Sequence, residues 1–435
     1  MLAADPLVGD DRSMKFLHAA DVHLDSPLKG LELYEGAPAA RIRNATREAF
    51  ENLIRLAIAE KVRFVILAGD LFDGKWTDLQ TGLWVAGQFR RLERENIAVY
   101  LLRGNHDAMA VTGQTRIQWP PNVHEFPVDA PATFRDETLG VALHGRGFAS
   151  REVLEDVAAT YPAAIAGLVN IGVLHTSLAG NPEHDTYAPT TPATLVRSGY
   201  DYWALGHIHQ RQTVLEKPHV VWPGCIQGRH IHERGAKGCV LVTADRGHVE
   251  IEFRPLDVLR WSLVEIELGA EAQLADLYDE VAARLRSVRE EAGGRFCAVR
   301  VMVRGQTACH RQLQSQTGRE EAIAEIRNIA NGLDEVWVEK VRIETSLPVD
   351  LDELRQGQDL IGELLREFDR LQTAPDEELL RLSESLAPLA GKGTLELKEA
   401  EIDLRSPAAV RNWLRQAEGM LIPLLTSADK SNSSS

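Results

Sequence analysis

Cysteine is scarce in this chain of 435 residues, with only Cys225, Cys239, Cys297 and Cys309 present. Four thiols at such wide spacing exclude a disulfide framework or a thiolate zinc site, and they read as buried small residues. No apolar run approaches the roughly 20 residues that cross a bilayer, so a membrane span is excluded. Residues 1–13 carry several acids and lack a basic-then-apolar signal pattern. They read as a flexible leader, with Met14 as an alternative start and the cytoplasm as the default location. A basic excess is missing as well: the formal charge is -16, which argues against a strongly basic, stand-alone nucleic-acid binder. It does not exclude a nuclease, since metal ions and a local arginine cluster hold phosphates where the whole chain repels them. Acidity also fits a partner that supplies much of the grip on nucleic acid. Internal repeats are absent.

What remains is an ordinary globular composition, 44% hydrophobic and 26% charged, long enough for two or three domains. From Lys15 to about Arg254, short apolar runs alternate with amphipathic stretches, which predicts α/β structure. Strands are expected at 16–20, 64–68, 97–102, 168–174 and 202–205, and helices at 41–60 and 79–95. Each strand runs into a polar residue at its carboxyl end, where α/β sheets place their sites. After Pro255 the texture changes. Strands are expected near 261–268, 296–303 and 335–344, with helices at 271–289 and 319–331. Leu360, Ile361, Leu364, Leu365, Phe368 and Leu371 form an apolar helical stripe, and 411–421 reads as a further helix.

The chemistry sits in five short motifs: Asp21-Val22-His23, Gly69-Asp70-Leu71-Phe72-Asp73, Gly104-Asn105-His106-Asp107, His175, and Gly206-His207-Ile208-His209. One such motif is weak; five in this order describe a site for two divalent metals. A metal pair needs a carboxylate able to span both ions, further ligands, and room for a shared hydroxide. Asp supplies that hard oxygen, His a nitrogen suited to first-row metals, and Asn105 a neutral carbonyl oxygen. In Asp21-Val22-His23, alternation along an extended segment is expected to point both side chains to the same side, because residues two apart share a face; the same holds for His207 and His209, unless a turn sends them to different ions. Two adjacent metals usually mean phosphate ester chemistry.

This series resembles the calcineurin-like metallophosphoesterase superfamily. The wider text around residues 19–28, 68–74 and 222–230 is similar to its bacterial DNA repair exonuclease branch, of the SbcD and YhaO type. The resemblance covers roughly Met14 to Asp257. It implies a metallophosphoesterase β-sandwich flanked by helices (α/β/β/α) over 14–256. A small α/β unit over 257–348 would be a capping domain, a helical segment over 349–426 would dock a partner, and 427–435 would be a disordered tail. It further implies two divalent ions, manganese being the usual one. Asp21, His23, Asp70 and His209 would hold the first, and Asp70, Asn105, His175 and His207 the second, with Asp70 shared. His106 would stabilise or protonate the leaving oxygen, and Asp73 is expected to accept a hydrogen bond from it and fix its tautomer. Gln227, Arg229 and His230, after a Pro-Gly turn, are expected to hold a phosphate backbone. DNA and an SMC-like ATPase of the SbcC or YhaN type are the implied partners, and a homodimer is common in the family.

The leading expectation is therefore a two-metal DNA nuclease subunit. Its competitors are a phosphomonoesterase or cyclic-nucleotide phosphodiesterase on the same fold, and a non-catalytic scaffold for the ATPase. In protein phosphatases of the superfamily Arg-Gly follows Gly-Asp-x-x-Asp; here Gly74-Lys75 stands in its place. His18, His124 and His144 are expected to be structural or exposed, His184 is a weaker candidate for substrate contact, and Arg41, Arg43 and Arg47 read as the wet face of a helix.

Overall fold

In the computed structural model, the residues described are 13–26, 36–73, 79–110, 117–150, 152–178, 187–245, 248–348, 351–384 and 406–432. The leader up to residue 12, Pro27-Leu28, Gly74-Lys75 and His184 lie outside them.

The first strands follow the apolar runs: β1 (Met14–Ala19), β2 (Phe64–Ala68) and β3 (Ala98–Leu102), with β4 (Val123–Glu125) short. Next come β5 (Ala132–Asp136), β6 (Val141–Gly145), β7 (Val169–His175), β8 (Tyr202–Gly206), β9 (Gln212–Glu216) and β10 (His219–Trp222), and then β11 (Gly238–Asp245) and β12 (His248–Pro255). These make two six-stranded sheets, ordered β12-β11-β1-β2-β3-β4 and β5-β6-β7-β8-β10-β9. In the first, β1 to β4 run parallel, and β11 joins β1 antiparallel. In the second, β6, β7, β8 and β10 are parallel.

The sheets face each other across one core. Phe16, Phe64, Ile66, Tyr100 and Leu102 from the first meet Val141, Ile171, Val173, Tyr202 and Ala204 from the second. Helix α1 (Ala39–Ala59) turns Ile42, Ala45, Ala49, Phe50, Leu53, Ile54 and Ala57 inward. Together with α2 (Leu79–Arg94) it covers the outer face of the first sheet. Short α3 (Asn105–Ala110) follows β3, and α4 (Pro192–Arg197) lies on the outer face of the second sheet. The layering is α/β/β/α. Strands covered on both sides read as unbroken apolar runs, which is why all five residues of Phe64–Ala68 are buried.

Compactness separates two units. The first is Met1–Leu263 with Arg286–Arg300 and Leu333–Lys340; the second is Val264–Leu285, Val301–Gly332 and Val341–Ser435. Strands β13 (Leu259–Glu267), β14 (Phe296–Gln306) and β15 (Val336–Ser346) form a three-stranded sheet. Between them run α5 (Leu274–Glu291), α6 (His310–Gln314) and α7 (Gln316–Asn331). Within the first unit Leu259, Trp261, Phe296 and Ala298 pack with Ile42, Ala45 and Ile231.

In the second unit, α8 (Leu351–Gln356), α9 (Leu360–Gln372), α10 (Asp376–Glu384) and α11 (Pro407–Asn432) are helical. Much of the apolar stripe is used internally: Ile361 and Leu365 pack with Ile422, and Ala374 and Leu379 with Val410. The tail expected to lack structure from Ser427 instead continues α11 to Asn432, because nothing between Thr426 and Asn432 breaks a helix. All four cysteines are free and buried. No described helix is long and apolar enough to cross a membrane.

Candidate metal centre

Two loops build one half of the site by zipping together. The N–H groups of Asp21, His23 and Leu24 donate to the carbonyls of Gly69, Asp70 and Leu71 at 3.0–3.1 Å, which brings Asp21, His23 and Asp70 to one point. Here the sequence argument for Asp21 and His23 needs correction. Neither lies on extended backbone: φ is 51° at Asp21, 50° at His23 and 54° at Asp70, with 97° at His207. Both side chains reach the site because the chain turns through the left-handed region, not because strand alternation aims them. Such a conformation costs ~1–3 kcal/mol per non-glycine residue and persists where packing over-determines it.

The second sheet supplies the other half from the ends of β7 and β8. His175 Nδ1 donates to the Ala68 carbonyl at 2.9 Å, which turns Nε2 into the site, 2.9 Å from Asn105 Oδ1 and 3.3 Å from Asp70 Oδ2. Burial would lower the His175 pKa, but the Asp70 charge and hydrogen bond raise it to about 9, so without a metal Nε2 holds a proton that a cation would displace. Nearby, His209 Nδ1 bonds Glu233 Oε1 at 2.7 Å, leaving its Nε2 3.1 Å from His23 Nε2 and 3.9 Å from Asp21 Oδ1. Asp70 stands between the two groups. Its Oδ1 accepts from the His106 N–H at 2.9 Å, and its Oδ2 is 3.8 Å from His23 Nε2 as well as 3.3 Å from His175. The His207 ring lies 5.2 Å from that of His175 and 4.8 Å from that of Tyr187, while its backbone N–H donates to both oxygens of Asp21. Ligand atoms of Asp21, His23 and His209 lie within 4.8 Å of one another, as do those of Asp21, Asp70 and His175 and, nearer the rim, those of His23, Asp73 and His106, so the donor set present fits divalent cations.

Electrostatics agree with that chemistry. Burial, helped by the Arg229 cation, lowers the His23 pKa to about 3 and keeps its imidazole neutral, the form that can donate to a metal. Burial alone would raise Asp70, but the His175 charge and hydrogen bond hold it well below the carboxylate range. Burial raises Asp21, and burial with the Asp70 charge beside it raises Asp107 to about 7.

His106 sits at the rim, one-third exposed, with Nδ1 2.7 Å from Asp73 Oδ1. The expected hydrogen bond is thus present; it raises the His106 pKa and favours the imidazolium, leaving Nε2–H to face outward. The same Asp73 oxygen is 3.7 Å from His23 Nδ1, a buried nitrogen with no hydrogen-bond partner.

Of the three residues expected to hold phosphate, Gln227 does not. It is buried, its amide donates to the carbonyls of Gly228 and Leu259, and its oxygen accepts from the N–H groups of Val258 and Leu259. The reason is invisible locally, because its partners lie some thirty residues on. Arg229 is in the site but held by Glu233, and His230 is exposed beside it. His18 and His144 are buried and structural, bonded to Tyr202 and Leu205 and to Thr133 and Asn170. Arg47 is more than a wet face: it holds Asp25 with two bonds, bracing the loop that carries Asp21 and His23.

Two residues escaped the sequence reading. Glu233 orients His209, and Asp107 accepts from the N–H groups of Leu71, Phe72 and Gly104, tying the Asp70 loop to α3. Only the acidic residue closing Gly-Asn-His-Asp hinted at the second. Gly104 allows this approach, since a Cβ there would stand 2.2 Å from Asp70 Oδ1 and 2.8 Å from its N. Gly104→Ala is expected to cost ~1–3 kcal/mol by overpacking, read as a lowered Tm of the metal-free protein. An unchanged Tm would mean the loop yields freely.

With the geometry established, comparison with known proteins is informative. The calcineurin-like phosphoesterase family matches residues 14–211, and the middle domain of metallophosphoesterase YhaO matches 261–346. The chain is 35% identical over 364 residues to the uncharacterized metallophosphoesterase YhaO of Bacillus subtilis, covering 82% of this chain and 87% of that protein. It is 24% identical to the DNA double-strand break repair protein Mre11 of Methanopyrus kandleri, over 79% and 76% of the two chains. A Pseudomonas putida nuclease, MPE, aligns at 17% identity over 53% of this chain and 85% of that one, with a TM-score of 0.22 that supports no argument.

Proposed function

The chain belongs to the calcineurin-like metallophosphoesterases, with YhaO of Bacillus subtilis as a relative along most of its length, and from that premise we propose that it is a two-metal DNA nuclease subunit. The observation that carries this reading is the pair of adjoining ligand groups, Asp21, His23 and His209 beside Asp21, Asp70 and His175, with Asp70 Oδ2 within 4 Å of both His23 and His175. Asp21, His23 and His209 with Asp70 would hold one ion; Asn105, His175 and His207 with Asp70 the other; manganese is the ion proposed. When bound, such a pair lowers the pKa of a shared water and clamps phosphoryl oxygens for in-line displacement.

The chain's own residues supply the rest. His106 presents Nε2–H to the leaving oxygen, and Asp73 keeps the ring turned so that this nitrogen faces out. DNA as substrate is supported by the similarity to Mre11, a double-strand break repair protein. The formal charge of -16 supports sharing the DNA-holding work with an SMC-like ATPase of the SbcC or YhaN type. The test is manganese-dependent release of nucleotides from linear DNA by the purified chain. Hydrolysis of small phosphate esters with DNA untouched would place it among small-molecule phosphodiesterases instead. Co-purification of a large coiled-coil ATPase from the source cell checks the partner.

Asp73→Asn should lower turnover by ~10–100-fold, the usual cost of losing an orienting carboxylate, with both ions retained. Loss of an ion in that variant, seen in a manganese titration, would make Asp73 a ligand.

A further inference from the structure

We propose that Arg229 and Glu233 are positioning residues, a buried ion pair that fixes His209 and couples it to Asp73, and that the Arg229 guanidinium serves this brace rather than substrate phosphate. The inference rests on the two-metal reading above. Glu233 is 4% exposed and Arg229 12% exposed at the side chain. Glu233 Oε1 takes the His209 Nδ1 proton at 2.7 Å and an Arg229 Nη2 proton at 2.9 Å. Its Oε2 accepts from the Arg229 backbone N–H at 2.7 Å and from Nε at 3.4 Å. The remaining end of the guanidinium reaches Ser26 Oγ at 3.4 Å and Asp73 Oδ2 at 3.6 Å. Lys237 completes the frame, donating to the His209 carbonyl at 3.0 Å.

The physical consequence follows from the tautomer. With Nδ1–H donated to a carboxylate, His209 can offer only Nε2 to a cation, with raised basicity. A buried carboxylate left alone would be costly, and the Arg229 charge offsets it. Because Arg229 also faces Asp73, which holds His106, the chain His106–Asp73–Arg229–Glu233–His209 runs from the acid side of the site to the metal side. Most Arg229 donors are already committed to protein groups, which leaves little of the fork for a phosphate.

The experiment is a calorimetric manganese titration of the full chain, with KM for a short DNA duplex measured beside it. Glu233→Gln is expected to weaken one of the two ions ~10–100-fold. Arg229→Met should weaken the same ion, and the double variant should be no worse than Glu233→Gln alone. Either of two results would overturn the proposal: Glu233→Gln binding both ions as the wild type does, or Arg229→Met raising KM with an unchanged titration. Long-range imidazole NMR on the unmutated, metal-free chain provides a check independent of variant folding. The Nδ1–H tautomer at His209 supports the brace, and the Nε2–H tautomer sinks it. Failure of the wild type to take up manganese at all is a separate result, which removes the two-metal reading itself.

Discussion

Replacing Asp70 by Asn is expected to drop phosphoester hydrolysis to the background rate and to abolish the stabilisation that manganese gives the wild type. In the proposed arrangement Asp70 is the shared carboxylate, with Oδ2 3.3 Å from His175 Nε2 and 3.8 Å from His23 Nε2. Losing the shared ligand weakens both ions together. The several kcal/mol of transition-state stabilisation they supply then disappears, at ~1.4 kcal/mol per tenfold in rate. The metal-free protein should lose stability as well: burial alone would raise the Asp70 pKa, yet the His175 charge and hydrogen bond hold it well below the carboxylate range, and Asn forfeits that pairing. The Asn side chain keeps an oxygen for the His106 N–H. The measurement is thermal unfolding with and without manganese: the ion should raise the wild-type Tm by mass action and leave the variant unmoved. A variant that manganese still stabilises like the wild type would show that Asp70 is not the shared ligand.

How much of this was legible follows from where each residue's partners lie in the chain. Asp21, Asp70, Asn105, His175 and His207 could be picked out because each follows an apolar run, and a buried parallel strand delivers its last residue to the sheet edge. The second sheet was harder to read. Strand β9 is a short polar edge strand with no periodic apolar signal, and β5 is little better. Patterns within one strand do not say that two sheets stack and present their edges together; the sandwich was implied by the family resemblance alone. Glu233 and Gln227 mark the limit at the site. One meets a histidine 24 positions upstream, the other backbone 31 and 32 positions downstream. No local spacing rule relates such partners. Left-handed backbone at Asp21, His23 and Asp70 was equally hidden: Asp and His tolerate that region better than most residues, but only the pairing of the two loops selects it.

His106→Gln should lower turnover on DNA by ~10²–10⁴-fold, the range for loss of a general acid, with manganese uptake unchanged. In the proposed arrangement the ring is not a ligand; it meets Asp73 through Nδ1 and the edge of the His23 ring, while its backbone N–H donates to Asp70, a bond that glutamine keeps. What is lost is a proton for the departing sugar oxygen, a poor leaving group that must be protonated as the bond breaks. A nitrophenolate departs as a stable anion and needs no such help. On bis(p-nitrophenyl) phosphate the same variant should therefore lose far less, so the ratio of the two deficits isolates the acid role from any general disturbance of the site. Equal deficits on both substrates would mean that His106 steadies the cation pair or the phosphate rather than the leaving oxygen. In that event the Asp73 bond would be a support for charge already present in the ground state, and Asp73→Asn should then follow the same substrate-independent pattern.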